Sequence, residues 1–157
     1  MERLWITNGS TSVAPVVNSV SAACREGFVP TDVRLLSNPT IADVTDRAVT
    51  QLKTVVTAHG GDEPAVTVEP IEDETDFEAI VATVQEAIAE GRAAGAAVAV
   101  DLTPGRKFWS SLSFQAGIDA DVDHLYYLHV DTGEYYGQPE PLLPRTAVDL
   151  VDFTEVW

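Results

Sequence analysis

The chain has 157 residues, roughly one domain and enough for a hydrophobic core. At 45% hydrophobic and 22% charged it is globular rather than disordered. Nine basic against twenty-five acidic residues give a net charge of −16, which sets aside general binding of duplex DNA or RNA through phosphate contacts.

No apolar stretch approaches the ~20 residues that span a bilayer. The start, Met1-Glu-Arg-Leu-Trp-Ile6, runs straight into strand-like sequence, without a signal-peptide layout. The single cysteine, Cys24, excludes an internal disulfide and a cysteine-based metal cluster, and reads as a small core residue. A cytoplasmic protein without a membrane partner is therefore expected. Only Lys53 and Lys107 are lysines, and the carboxylates are dispersed, dense only from Asp62 to Glu78. Adaptation to molar salt fits this pattern better than a nucleic-acid mimic or a partner for basic proteins. At ~1 M ionic strength the screening length is about 3 Å, so an anion site must work by direct, desolvated hydrogen bonds.

The chain alternates strands and helices. Leu4 to Thr7 reads as a strand, Asn8-Gly-Ser-Thr-Ser12 as a loop of small hydroxyl residues, and Val13 to Glu26 as a helix stopped at Gly27. Asp32 to Leu36 is the second strand. Ile41 to His59 is a helix with Ile41, Val44, Ala48, Leu52 and Val55 on one face. Ala65 to Val68 is a short third strand, and Thr75 or Asp76 caps a helix running to Glu90. Ala96 to Val100 is apolar on both faces, as a buried parallel strand should be. Gly105 to Gly117 is the fourth helix and His124 to Val130 the fifth strand. Gly133-Glu-Tyr-Tyr136 is a candidate hairpin return before a last strand from Ala147 to Phe153. The expected fold is α/β: a Rossmann-like three-layer sandwich on a mainly parallel sheet of about six strands, with a candidate hairpin at the end. No internal repeat stands out.

The run with the most chemistry is Ala97-Ala-Val-Ala-Val-Asp-Leu-Thr-Pro-Gly-Arg-Lys-Phe-Trp-Ser110. A buried strand ends at Asp101, a Thr-Pro-Gly turn follows, and Arg106 and Lys107 stand where a helix begins. Helix amides and positive charge at one spot hold anions, phosphates above all. Ligands of such sheets bind outside the carboxyl ends of the strands, where strand order reverses. If the first and fourth strands are neighbours there, loops Asn8 to Ser12 and Thr103 to Lys107 share one crevice. Competing readings stay open. Arg106 and Lys107 can be solvated cations. Thr103 can cap a helix with Pro104 at its first position. Ser110 can bond the carbonyl one turn back. Ser10, Thr11 and Ser12 can cap the first helix, and Asp101 reads as structural before general base.

The histidines carry less. His129, late in the fifth strand, reads as a partly buried structural residue before an acid or base for the crevice. His59 is a favourable cation at a helix end, His124 suggests nothing, and no metal-ligand spacing is present. Tyr126, Tyr127, Tyr135 and Tyr136 read as packing, with adenine stacking or a dimer surface as alternatives. Phe108 and Trp109 read as core and interface, Trp109 also as a cover for the site.

Asp101-Leu-Thr-Pro-Gly-Arg-Lys-Phe-Trp-Ser110 resembles the signature of CARF domains, the CRISPR-associated Rossmann-like sensors, typically Asp-x-Thr-Gly-Gly-Thr-Lys-x-Met-Ser. Thr103, Gly105, Lys107 and Ser110 match in register, and Asn8-Gly-Ser-Thr11 resembles the family's first loop. Pro104 departs by removing an N–H donor, Arg106 by adding a planar cation, and Trp109 stands where methionine is usual. The resemblance implies a homodimer that binds a cyclic oligoadenylate across its twofold axis through Asn8, Gly9, Ser10, Thr11, Thr103, Gly105, Arg106, Lys107 and Ser110, with no metal or cofactor. Many members are fused to a nuclease or DNA-binding domain. No room remains for one after Trp157, so one standalone domain over residues 1–157 is expected.

Three functions are compatible with these residues: a CRISPR-linked sensor of the cyclic ligand, a metal-independent ring nuclease, and an unrelated small α/β nucleotide-binding domain or interaction module. In the nuclease the ribose 2′-hydroxyl attacks the adjacent phosphodiester. Lys107 and Arg106 stabilise the developing charge, and Ser10 or Thr11 positions the reacting groups. Lys107→Ala is expected to cost about 1.5–3 kcal/mol of ligand binding. Folding should change by no more than ~0.5 kcal/mol. Calorimetric titration and thermal melting read the two quantities, and unchanged affinity would mark Lys107 as a solvated charge.

Overall fold

A computed structural model describes residues 1–156. Six strands, β1 (Arg3–Asn8), β2 (Asp32–Ser37), β3 (Ala65–Pro70), β4 (Ala97–Asp101), β5 (His124–Val130) and β6 (Val148–Asp152), form one sheet in the order β3-β2-β1-β4-β5-β6. Neighbours are parallel except β5 and β6, which pair antiparallel from Tyr126 opposite Asp152 to Val130 opposite Val148. Helices α1 (Val13–Arg25) and α2 (Ala42–Ala58) cover one face, and α3 (Phe77–Ala93) and α4 (Lys107–Asp119) the other.

The central strands read as unbroken apolar runs because both of their faces are covered. In β1, Trp5 enters the α1/α2 core while Leu4 and Ile6 enter the α3/α4 core; in β4, Ala99 and the pair Val98 and Val100 divide the same way. Trp5 stacks on Tyr126 at 5.7 Å and meets Phe28 at 6.0 Å. Asp76 caps α3, its carboxylate accepting the Ala79 N–H at 3.0 Å. No helix among the described residues is long and apolar enough to cross a membrane.

Two local expectations change. Gly133–Tyr135 is a 3-10 turn, not a hairpin strand. The connection 131–147 carries two further 3-10 turns, at Glu140–Leu142 and Arg145–Ala147. Pro139, Pro141 and Pro144 withhold the N–H groups a ladder needs, and β6 already occupies the edge of β5. The connection lies instead against α1. Asn18 Nδ2 donates to Gln138 O at 2.7 Å, and Asn18 Oδ1 accepts the Glu140 N–H at 2.9 Å. The buried Glu140 carboxylate pairs with Arg25 and accepts the Ser21 hydroxyl at 3.0 Å. The second change is at α4, which begins at Lys107 rather than Gly105, because Gly105 has a φ of +96° that no helix accommodates.

Candidate functional site

Strand order reverses between β1 and β4. The chain leaves β1 for α1 on one face and β4 for α4 on the other, so loops 9–12 and 102–106 part at the carboxyl edge of the sheet. They also touch. A Cβ on Gly105 would lie 3.0 Å from Asn8 Cβ and 3.3 Å from Gly9 O, so only glycine allows both this φ and this approach.

Asp101 fixes loop 102–106 from below. Fully buried, its Oδ2 accepts the hydroxyls of Thr7 at 2.8 Å and Ser19 at 2.7 Å, and its Oδ1 accepts the Thr103 N–H at 3.0 Å. Burial pushes the carboxyl up to about 6, against the hydrogen bonds from Ser19, Thr103 and Thr7, which pull it down. Thr103 is a tie and not a helix cap: its Oγ1 accepts the Leu128 N–H of β5 at 2.9 Å. The capping position of α4 is Arg106, whose side chain makes no cap bond to the helix. Ser110 Oγ donates to Pro104 O at 3.3 Å and folds the loop back onto its helix.

Above these ties opens a cleft of about 260 Å³. Gly9, Ser10, Thr11, Gly105 and Arg106 line it; Asn8, Thr103, Lys107 and Ser110 do not. Asn8 is buried beneath, with Nδ2 3.4 Å from Ser113 Oγ and Oδ1 without a partner among the described residues. Arg106 is still extended at the capping position, with φ −70° and ψ 153°, while Lys107 is the first residue of α4, so the adjacent cations leave the backbone from different conformations. Arg106 reaches the cleft, while Lys107 is exposed and makes no ion pair among the described residues.

Asn38, Thr40, Ile41 and Glu74 also line the cleft, and sequence reasoning missed them. The available signal was position: Asn38 and Thr40 follow the carboxyl end of β2, and Glu74 follows that of β3. Trp109 lines it too, with its indole N–H donating to Glu74 O at 2.9 Å. The Glu74 carboxylate in turn accepts Arg106 Nε at 2.9 Å. The cation of the cleft thus already has an anion.

Besides α2, which follows directly on the 3-10 turn Pro39–Ile41, two helices start at this edge without a side-chain cap. Neither Ser12 before α1 nor Arg106 before α4 makes a side-chain cap bond, in contrast to Asp76 before α3. Free first-turn amides beside a guanidinium can hold an anion by direct hydrogen bonds. Ser10 Oγ sits 3.4 Å from the Ser12 N–H, and Thr11 is exposed.

The remaining candidates lie elsewhere. His129 is exposed, 3.3 Å from Asp131, and lines a second cleft. His124 has a packing role its position did not reveal: Nδ1 is 2.7 Å from Asp152 Oδ2, and its ring stacks on Tyr126 at 5.0 Å. His59 ends α2, as expected. Burial pushes the Cys24 thiol up to about 12. Among the described residues no group of three His, Cys, Asp or Glu is placed to hold a metal ion.

No family model matches the sequence, and no curated protein is similar enough to count as a relative. Solved structures do match. Csm6 of Enterococcus italicus, bound to cyclic hexa-2'-fluoro-hexa-dAMP, aligns with a TM-score of 0.64 at 15% identity, over 96% of this chain and 41% of that one. Can2 from Sulfobacillus thermosulfidooxidans, in complex with cyclic tetra-adenylate, aligns with a TM-score of 0.56 at 12% identity, over 80% of this chain and 32% of that one. A type III CRISPR defence DNA nuclease activated by cyclic oligoadenylate aligns with a TM-score of 0.59 at 16% identity, over 83% of this chain and 19% of that one. The chain shares their fold. It spans between 19% and 41% of the length of these proteins.

The raised carboxyl of Asp101 gives a signed prediction. Its folded value, about 6, exceeds the unfolded value near 4, so its contribution is full below pH ~4 and is lost as pH rises through 6. The stability of the wild type relative to Asp101→Asn should fall by about 1 kcal/mol between pH 5 and pH 7. Urea midpoints at the two pH values measure it, and a flat difference would place the carboxyl at its ordinary value.

Proposed function

We propose that this chain is a single CARF domain that seats a cyclic oligoadenylate over loops 9–12 and 102–106, shared between two copies of the chain, as a cytoplasmic CRISPR-linked sensor. The observation that carries this reading is the meeting of two uncapped helix N-termini and Arg106 where strand order reverses. The fold shared with proteins solved with cyclic adenylates supports it. In a chain of net charge −16, a polyanion has few places to bind. Clustered amides are one of them, because their donors need no favourable field at long range, and in molar salt that field is absent.

Lys107 enters through the dimer. Lys107, Ser110, Ser111 and Phe114 follow i, i+3, i+4, i+7 and share one face of α4. Ser110, Ser111 and Phe114 line a shallow groove with Tyr127 and Phe153. A second copy seated there brings its own Lys107 to the rim of the shared ligand.

A second reading, ring cleavage without metal, is favoured by the hydroxyl groups of Ser10 and Thr11 on the same cleft as Arg106. They would orient the ribose 2′-hydroxyl towards the adjacent phosphodiester, where the O2′–P bond forms as the P–O5′ bond breaks, leaving a 2′,3′-cyclic phosphate and a 5′-hydroxyl that takes up the proton, while Arg106 and Lys107 stabilise the charge that develops. Labelled cyclic tetra- and hexa-adenylate, incubated without metal at about 2 M salt, separate the readings. Intact retention supports sensing, linear products support cleavage, and the absence of binding to either ring overturns both.

The Glu74–Arg106 pair predicts an unusual sign. The Glu74 carboxylate holds only Nε of Arg106, and its charge opposes a phosphate that approaches the terminal nitrogens of the same guanidinium. An exposed pair is worth roughly 0.2–1 kcal/mol, so Glu74→Gln should tighten binding of the ring about 1.4- to fivefold. In an Arg106→Ala background the gain should vanish. Equal affinities with and without Glu74, measured by calorimetric titration, would mean that Arg106 takes no phosphate.

A further inference from the structure

We propose that the connection 131–147 is a self-association surface: two copies of this chain meet antiparallel along it, Leu142 of each resting beside Tyr136 and Gly137 of the other. The proposal does not rest on the reading of the cleft. This connection lies against α1, on the opposite face of the sheet from α4.

Antiparallel neighbours can be joined by two residues, yet β5 and β6 are joined by 131–147. The extra length is a fastened strap. Asn18, Ser21 and Arg25 of α1 hold it through Gln138 and Glu140, and Leu143 and Ala147 are buried beneath it. Its two ends are joined, the Asp131 N–H donating to Ala147 O at 2.9 Å. Pro139, Pro141 and Pro144 stiffen it further. On this base stand Leu142, 73% exposed, and Tyr136, 69% exposed. After Met1 they are the most exposed large apolar side chains among the described residues. Leu142 ends the 3-10 turn Glu140–Leu142 facing water, while its neighbour Leu143 faces the core. Apolar groups held out on a rigid backbone lose little freedom when a partner covers them.

Charge selects the partner. A net charge of −16 closes most of the surface to another copy of the same chain. From Tyr135 to Val148 the only charged residues are Glu140 and Arg145, and Glu140 is buried and paired with Arg25. Two copies can meet along this stretch without setting carboxylate against carboxylate. A basic partner would gain more elsewhere, where carboxylates are dense from Asp62 to Glu78.

The ends of the strap set the register. Arg145 is exposed, makes no ion pair among the described residues, and lies close enough to Arg25 to oppose its charge. At the other end Glu134 is exposed and equally without an ion pair among the described residues. A twofold axis that runs the straps antiparallel sets Arg145 of one copy against Glu134 of the other, and does so twice. The same register brings Leu142 opposite Gly137, next to the Tyr136 ring. A Cβ on Gly137 would meet nothing within 4 Å, so the space over this glycine is open to the leucine. One strap from each copy makes a contact at the weak end of the range, below about 1,200 Å².

Sedimentation velocity of the full chain from about 1 μM to about 1 mM reads such a contact. At about 0.5 M salt the screening length is about 4 Å, so charges in contact still act and the rest are damped. The chain should self-associate, and Leu142→Glu should weaken that association about tenfold or more. Glu134→Arg and Arg145→Glu should each weaken it about fivefold or more. None of the three should lower the melting temperature, since all three side chains are exposed. Mixed together, the two charge variants should associate as tightly as the wild type, because every cation in that pair again meets a carboxylate. Ser111→Arg, an exposed position on the α4 face, should leave the strap contact intact. Association that ignores Leu142→Glu and is lost with Ser111→Arg would overturn the strap contact and leave the sensor reading standing. A chain that stays monomeric over the whole range, or charge variants that do not recover on mixing, would overturn it too and leave the strap to a partner of another kind. Strap-dependent association in a chain that binds neither cyclic adenylate would overturn the sensor reading alone.

Discussion

The site hangs on one buried carboxylate. Asp101 is removed from water with no cation beside it, an arrangement that is costly unless hydrogen bonds replace the lost hydration. Its donors come from β1, α1 and loop 102–106, so meeting the needs of one side chain locks three segments together. Thr103 extends the tie to β5 through the Leu128 N–H. Gly105 then crosses over Asn8 and Gly9, the approach that brings the two loops together. The positions of the first-turn amides of α4 follow from this chain of contacts, because the loop has few other ways to run.

Such a scaffold leaves donors unused by design of its caps. Where the chain has an acidic residue to spare, as at Asp76, it caps the helix. Before α1 and α4 it has Ser12 and Arg106, and neither closes its helix. The surrounding surface is acidic, so the cleft would be a poor anion site if it relied on field strength. Short-range donation in a space closed by Trp109 is the term that survives screening. Glu74 belongs to the same logic: its carboxylate holds Nε of Arg106 and fixes the guanidinium at the cleft.

The sequence discloses what is periodic or local. β5 runs from His124 to Val130 as its residues indicate, Asp76 is recognisable as a cap, and the alternation of strands and helices leads to the crevice between β1 and β4. It conceals what depends on side-chain direction or distant partners. Arg106 and Lys107 are adjacent in sequence but only Arg106 lines the cleft, because Arg106 is still extended at the capping position and Lys107 already belongs to α4. Glu74 is 32 residues from Arg106, and no local spacing connects them. Gly133–Tyr135 looked extended because aromatic residues favour strands, but the nearby prolines and the occupied edge of β5 decided otherwise.

The two helix starts are not equivalent in the donors they offer. Pro15 is the third residue of α1 and has no N–H, so the first turn of that helix offers fewer donors than its length implies. The first turn of α4, Lys107, Phe108 and Trp109, contains no proline and keeps all of its amides. The stronger half of the cradle is therefore on the β4 side, next to Arg106 and within reach of Glu74. Pro15 at the same time gives the second cleft an apolar wall where an amide would otherwise stand.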